Sequence, residues 1–118
     1  MDKVKLVIDT KGGDNGAAVM IGGAAQALAK FSQLEVLLAG DTQVITDTCK
    51  ALNVPMDRVE ILEAPGTITN FDNPAEAIFK KQDSSMLMAL EALGRREDLF
   101  GLITAGNTGV LITGAMRQ

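Results

Sequence analysis

The clearest sign of architecture in this chain is the sequence Phe100-Gly101-Leu102-Ile103-Thr104-Ala105-Gly106-Asn107-Thr108-Gly109. It begins with a short apolar run typical of a strand, breaks into small and glycine residues, and continues at Val110–Met116 with the spacing of a helix start. Because such a turn presents backbone amides to an anion, it predicts a site for phosphate or a similar group. Asn107 and Thr108 would add side-chain donors, although Asn107 could simply cap the helix.

The rest of the chain alternates between strand and helix patterns. Short apolar runs predict earlier strands at Val4–Ile8, Glu35–Ala39 and Val59–Leu62. Helical spacing and capping residues predict helices that begin near Ala17, span Val44–Leu52, start at Asn73-Pro74 and start at Ser84-Ser85. The order β-α-β-α-β-α-α-β-α calls for a parallel sheet with right-handed crossovers and helices on both faces. We therefore expect residues 1–118 to form a single α/β domain.

The composition excludes several classes of function. The chain has no His, so it supplies no Ser-His-Asp relay, His base or His-ligated metal. A net charge of −4 gives no positive field for nucleic acid or an anionic membrane. Cys49 is the lone cysteine, which predicts a core thiol in a reducing compartment. No apolar run approaches the roughly 18 residues of a spanning helix, and no signal peptide is evident, so the cytoplasm is expected.

Three loops follow predicted strands: Asp9–Gly16, Glu63–Asp72 and Thr104–Gly109. We expect them to meet at one edge of the sheet, because ligands of parallel sheets gather at the carboxyl ends of the strands. The first loop offers glycine amides and the charge of Lys11 to an anion, although it fits neither the P-loop nor the dinucleotide fingerprint. A turn whose glycines serve only its geometry explains that loop equally well.

A second group of candidates lies between two predicted helices. Lys80 and Lys81 bring positive charge near the hydroxyls of Ser84 and Ser85, a combination that suits phosphate. A solvated lysine pair beside a capping serine is the commoner explanation, and the residues alone favour it. At the end of the following helix, Arg95-Arg96 is predicted to be solvated.

Four motifs taken together are similar to those of a known family. They are Asp9 with Gly12-Gly13-Asp14-Asn15, Asp72-Asn73-Pro74-Ala75-Glu76-Ala77-Ile78, Lys80-Lys81-Gln82-Asp83-Ser84-Ser85-Met86 and Ala105-Gly106-Asn107-Thr108-Gly109. In order and spacing they resemble the N-terminal part of the bacterial phosphate acyltransferase (PlsX) family of fatty-acid and phospholipid synthesis. The chain departs from the usual pattern of that family at Thr10-Lys11, Gly16-Ala17, Asn73 and Thr104.

The resemblance implies a fold and an activity. The fold would be a Rossmann-like, three-layer α/β/α domain with a mostly parallel sheet, similar to isocitrate and isopropylmalate dehydrogenases and incomplete in this chain. The activity would be transfer of a fatty acyl group from acyl carrier protein to inorganic phosphate, which gives an acyl phosphate for phospholipid synthesis. The resemblance further implies a cytoplasmic homodimer with peripheral membrane contact through a downstream acyltransferase.

The resemblance also implies roles for particular residues. Lys81 and Asn107 would be catalytic, because they would stabilise the oxyanion formed when phosphate attacks the thioester. The remaining substrate contacts would come from Gly12, Gly13, Asp14, Ser84, Ser85, Gly106 and Thr108. No metal ion and no organic cofactor are expected.

Two other functions stay open at the level of the sequence. A truncated, non-catalytic domain of the same fold could bind an anion or a partner through an open sheet edge. A related phosphate-binding fold, such as that of a phosphotransacetylase or a decarboxylating dehydrogenase, would be distinguished by titration with nucleotide cofactors.

Overall fold

The computed structural model describes residues 3–11, 16–66 and 72–105, without the side chains of 78–80. The strands in these residues are β1 (Val4–Asp9), β2 (Leu34–Gly40), β3 (Val59–Glu63) and β4 (Leu99–Ile103). The helices are α1 (Ala17–Lys30), α2 (Thr42–Ala51), α3 (Pro74–Lys80) and α4 (Ser85–Arg95), with a 3₁₀ turn at Met56–Arg58. None of the helices in the described residues is long and apolar enough to cross a bilayer. The helix predicted at Val110–Met116 lies outside these residues.

The four strands form one parallel sheet in the order β3-β2-β1-β4. In β1 and β2 the register pairs Val4 with Leu34 and Asp9 with Ala39. β4 lies on the other side of β1, with one irregularity in register between Lys5 and Leu6. The chain therefore adds β2 and β3 on one side of β1 and then crosses to the other side for β4. The strand order reverses between β1 and β4, as in doubly wound α/β folds.

Helices cover both faces of the sheet and create the three layers that the sequence predicted. On one face, α1 and α2 enclose a core of Ile8, Ile21, Leu28, Val36, Leu38, Ile45 and Cys49. On the other face, α4 contributes Ala89 to a cluster with Val7, Leu37, Ala39 and Leu99. Helix α3 packs on α4 through Ala77, which joins Met86, Leu87 and Leu90. Because both faces are covered, the central strand β2 is buried along almost its whole length.

Cys49 confirms the predicted core thiol. It lies on the buried side of α2, in the core between this helix and the sheet. Burial in this apolar layer raises the pKa of the thiol above its ordinary value. The thiolate is therefore disfavoured, and Cys49 fills space in the core in the way that a small apolar residue does.

Capping residues fix where helices α2 and α3 begin. The Asp41 carboxylate accepts a hydrogen bond from Val44 N–H at 3.1 Å, so α2 begins at Thr42, earlier than its apolar pattern predicted. Asn73 accepts from Ala75 N–H at 3.0 Å and from Glu76 N–H at 3.2 Å, which confirms the predicted start of α3. Each cap satisfies amides that the first helical turn leaves without a partner.

The amino ends of the strands are joined by ion pairs. Arg96 contacts Glu60 at 2.9 Å and Asp98 at 2.7 Å, and Lys5 contacts Glu60 at 2.5 Å. The prediction of a solvated Arg95-Arg96 pair is therefore wrong for Arg96, while Arg95 is exposed and pairs with Glu91 along α4. The sheet topology places Glu60 of β3 beside the end of α4, and sequence spacing gave no indication of that contact.

Candidate functional site

The candidate site lies at the carboxyl ends of β1 and β4, where the strand order reverses. Asp9 is the last residue of β1, Thr104 follows β4, and Ser85 begins α4. Their side chains meet although Ser85 is 76 residues and Thr104 is 95 residues from Asp9 along the chain. We call these three residues the Asp9 cluster. Its position is the one at which open α/β sheets bind ligands.

Asp9 is the common acceptor of this cluster. Only 1% of its surface is exposed. Its carboxylate accepts hydrogen bonds from the Thr104 hydroxyl at 2.7 Å, from the Lys11 backbone N–H at 3.1 Å and from the Ser85 hydroxyl. A buried carboxylate is costly unless donors surround its oxygens, and charge-assisted bonds are stronger than neutral ones. These bonds therefore hold the ends of β1 and β4 against the start of α4.

The direction of these hydrogen bonds follows from the groups involved. An ionised carboxylate only accepts, and a hydroxyl has one proton to give. Ser85 and Thr104 therefore each donate a hydrogen bond to the Asp9 carboxylate. Ser85 is buried and Thr104 is half-buried, so Thr104 is the more exposed of these two residues.

The loops after β1 and β3 are tied together beside the cluster. The Lys11 ammonium donates to the Pro65 carbonyl at 2.8 Å. Gly66 N–H donates to the Asp83 carbonyl at 3.0 Å, and Gly66 and Ser84 form a parallel bridge. The predicted meeting of the Asp9 and Glu63 loops at one edge is therefore observed for their described residues. The charge proposed for an anion at Lys11 is directed to a backbone carbonyl in this structure.

Ser84 and Ser85 have different partners. The Ser84 hydroxyl accepts from Leu87 N–H at 3.3 Å and caps α4, which confirms the capping role. The Ser85 hydroxyl donates to Asp9. Both side chains are buried. Phosphate binding by these two serines stays a prediction.

Lys81 lies immediately before this turn. Its ammonium contacts the two carboxylate oxygens of Asp72 at 3.0 and 2.8 Å, and both side chains are partly exposed. The Lys81 carbonyl also accepts Ser84 N–H at 3.0 Å, which joins the lysine to the cap of α4. A cation is thus fixed near the start of α4, in contact with a carboxylate.

The other predicted site residues lie outside the described part of the chain. They are Gly12, Gly13, Asp14, Gly106, Asn107 and Thr108. Their roles stay predictions. Among the residues that the structure does describe, no three acidic or cysteine side chains gather as ligands of a metal would.

The sequence did not reveal the role of Asp9 as a shared acceptor. The available signal was an acidic residue at the end of an apolar strand, together with hydroxyl residues after another strand and at a helix start. That pattern becomes specific only when the strand order is known, because the order decides which ends are neighbours.

The fold and the Asp9 cluster together define a class: a doubly wound α/β protein with a polar site at the reversal of strand order. Over residues 4–118 the sequence matches the family described as "Fatty acid synthesis protein". The chain belongs to this family, and the resemblance inferred from the four motifs is confirmed.

Relatives in several bacteria bear the name phosphate acyltransferase. That of Thermoanaerobacter pseudethanolicus is 35% identical over 113 residues, which are 96% of this chain and 32% of the relative. That of Streptococcus mutans is 36% identical over 114 residues, 95% of this chain and 32% of the relative. That of Aliivibrio fischeri is 34% identical over 113 residues, which are 95% of this chain and 33% of the relative. The chain spans about a third of the length of these curated relatives.

Proposed function

We propose that this protein acts in the transfer of a fatty acyl group from an acyl carrier protein thioester to inorganic phosphate, with an acyl phosphate as the product. The observation that carries the proposal is the family match over residues 4–118, with relatives named phosphate acyltransferase. The description of the family as a fatty acid synthesis protein supports a fatty acyl donor. The Asp9 cluster supports a ligand site where the strand order reverses.

The chemistry requires one displacement at the thioester carbonyl. A phosphate oxygen attacks the carbonyl carbon, a C–O bond forms, and the C–S bond breaks to release a thiolate that takes up a proton. Negative charge develops on the carbonyl oxygen, and we assign its stabilisation to Lys81 and Asn107. A covalent enzyme intermediate is not required, in agreement with a chain that has no His to activate a nucleophile.

Substrate binding is assigned to the loops around the cluster. The proposed contacts come from Gly12, Gly13, Asp14, Ser84, Ser85, Gly106 and Thr108. Lys81 is in contact with Asp72 at 2.8 Å, so phosphate would compete with that carboxylate for the ammonium group. The reaction is proposed to need neither a metal ion nor an organic cofactor.

The wider setting is also a proposal. We propose a cytoplasmic homodimer that receives its acyl group from acyl carrier protein and passes its product to a membrane acyltransferase. Its contact with the membrane would then be peripheral. A net charge of −4 supports a protein partner over nucleic acid.

Product formation tests the proposal directly. The chain is incubated with a fatty acyl thioester of acyl carrier protein and phosphate, and acyl phosphate is trapped as the hydroxamate. We expect Lys81→Met to lower the rate by roughly tenfold to a thousandfold, because a cation beside the developing oxyanion is lost. Lys50→Met, on the opposite face of the sheet from α4, should leave the rate unchanged. Equal rates for the two variants would refute the role of Lys81.

A second candidate is a non-catalytic domain of the same fold that binds an anion or a partner. The observation that favours it is the Asp9 cluster, a polar site at the carboxyl ends of the strands, where open α/β sheets bind ligands whether or not a reaction follows. Phosphate binding without acyl phosphate formation would support this candidate. Absence of both binding and turnover would count against both functions.

A further inference from the structure

We propose that Lys11 is a positioning residue that holds the Pro65–Gly66 peptide group in place and thereby joins two parts of the candidate site. The inference rests on the proposed function, because the site it concerns is the one assigned to phosphate. Lys11 directly precedes the glycine loop assigned to substrate binding, and Gly66 contacts the turn before α4. The separation of these two parts then depends on the Lys11 side chain.

The Pro65–Gly66 peptide group is held from both sides. Its carbonyl oxygen, which belongs to Pro65, accepts a hydrogen bond from the Lys11 ammonium at 2.8 Å, and the Gly66 carbonyl oxygen lies 3.5 Å from the same ammonium. Its N–H, which belongs to Gly66, donates to the Asp83 carbonyl at 3.0 Å. Because the C=O and N–H of a trans peptide point in opposite directions, Lys11 and Asp83 hold opposite sides of this group. Rotation of the peptide plane would break both bonds.

Each end of this link is anchored in turn. The Lys11 backbone N–H donates to the buried Asp9 carboxylate at 3.1 Å, which ties the lysine to the Asp9 cluster. On the other side, Gly66 forms a parallel bridge with Ser84, the cap of α4. A Cβ atom on Gly66 would lie 2.9 Å from the Ser84 nitrogen, so the two backbones are in close contact. Lys11 thus connects the end of β1 with the start of α4 through the loop after β3.

This link bears on how the site binds an anion. Both the loop directly after Lys11 and the α4 cap Ser84 are assigned to phosphate. Donors that are already held at a fixed separation bind an anion more tightly, because no cost of ordering them is incurred on binding. Loss of the link should therefore weaken phosphate binding by the folded chain, in addition to any effect on stability.

Hydrogen exchange followed by NMR measures the link without any ligand. In Lys11→Met the Gly66 amide should exchange about threefold to tenfold faster than in the wild type, the factor expected for the loss of one hydrogen bond. Lys11→Arg keeps a charged donor and should restore the protection of this amide. Lys50→Met removes a lysine from the last turn of α2 and should leave the Gly66 amide unchanged.

Calorimetric titration with sodium phosphate at pH 7 measures the effect on the site. We expect Lys11→Met to raise the dissociation constant about threefold to tenfold and Lys11→Arg to stay close to the wild type. Lys50→Met removes an equal charge and should not change the constant. If Lys11 served stability alone, the phosphate affinity of the folded chain would be the same in all of these variants.

Gly66→Ala separates the link from the charge of Lys11. Its Cβ atom would overlap the Asp83 carboxylate and disturb the same peptide group from the other side, while the ammonium keeps its charge. This variant should therefore also weaken phosphate binding. The double variant should weaken it by less than the product of the two separate factors, because both substitutions act through one peptide group.

Three results would overturn the inference. They are no phosphate binding by the wild-type chain, an unchanged exchange rate at Gly66 in Lys11→Met, or a phosphate affinity that depends on Lys11 but not on Gly66. The proposed function is judged separately by the hydroxamate assay. Acyl phosphate formation with an unchanged Gly66 amide supports the function and removes the positioning role. Faster exchange and weaker phosphate binding in Lys11→Met, without acyl phosphate from the wild type, do the reverse.

Discussion

Gly66 lies where two segments of the candidate site pass close to each other. A Cβ atom at this position would overlap the Asp83 carboxylate and lie 2.9 Å from the backbone nitrogen of Ser84. We expect Gly66→Ala to lower the free energy of unfolding by about 1–3 kcal/mol, the usual cost of forcing extra atoms into a packed region. Urea unfolding followed by circular dichroism measures this loss.

Gly23→Ala is the control for that substitution. Gly23 lies on the exposed side of α1, and a Cβ there meets nothing within 4 Å. Alanine favours a helix over glycine by about 1 kcal/mol, so this variant should be more stable than the wild type. A loss of stability at Gly23 similar to that at Gly66 would contradict the assignment of close approach to Gly66.

The residues of the candidate site differ in how far the sequence could predict them. The caps at Asn73 and Ser84 were predictable, because a cap depends on amides two or three residues away. The acceptor role of Asp9 was not, since its hydroxyl partners lie far along the chain. Contacts between residues close in sequence can therefore be predicted from one sequence. An acceptor shared by distant residues can be predicted only when the strand order is known.

For the strands and helices, too, some features could be predicted from the sequence and others could not. The parallel sheet, its four strands in the described residues and the helices on both faces follow from the alternation of apolar runs and helical patterns. The strand order β3-β2-β1-β4 does not, because a long crossover can place β4 beside either edge of the sheet. The observed ends of the elements differ from the predicted ends by a residue or two. Helix α2, for example, begins at Thr42 because Asp41 caps it, although its apolar pattern begins at Val44.

An ion-pair group joins β1, β3 and α4 at the amino ends of the strands. Hydrogen bonds from Arg96 and then Lys5 lower the pKa of Glu60 from 4.5 to about 2. The unfolded chain thus takes up this proton at a higher pH than the folded chain does. The stabilising contribution of Glu60 is complete above the unfolded pKa of 4.5 and is lost as the pH falls through about 2.

Glu60→Gln tests this contribution. The side chain is 46% exposed. Solvent therefore screens the pairs, and we expect a loss of about 1 kcal/mol or less in the free energy of unfolding at pH 7. The loss should shrink at pH 3 and in high salt. Glu91→Gln, in a surface pair along α4, serves as the control and should cost less at pH 7. An equal loss from Glu60→Gln at pH 7 and pH 3 would rule out the ionic origin.

At the scale of the whole molecule, the two ends of the sheet serve different purposes. Ion pairs among Lys5, Glu60, Arg96 and Asp98 join elements at the amino ends, while the Asp9 cluster occupies the carboxyl ends. Changes to the first group should alter stability, and changes to the second should alter ligand binding. The assignment of residues 1–118 to one domain stays a prediction.

The two edge strands of the sheet in the described residues also differ, and this difference bears on assembly. β3 carries the exposed acids Glu60 and Glu63, whose charge disfavours pairing with another chain. β4 instead carries Phe100, which is 71% exposed, and Ile103, which is also exposed. Exposed apolar residues on an edge strand favour association, so we expect contacts between copies of the chain to form at β4.

Phe100→Ser tests this expectation by sedimentation velocity over a range of protein concentrations. Burial of a Phe side chain is worth about 1.5–3 kcal/mol, so its loss should raise the dissociation constant of the associated species by about tenfold or more. Val19→Ser, on α1, removes another apolar side chain, 57% exposed, and should leave association unchanged. A wild-type chain that stays monomeric at every concentration would contradict association at β4. Equal effects of the two variants would also exclude β4 as the associating edge, because a contact at this edge depends on the position of the side chain and not on exposed apolar area alone.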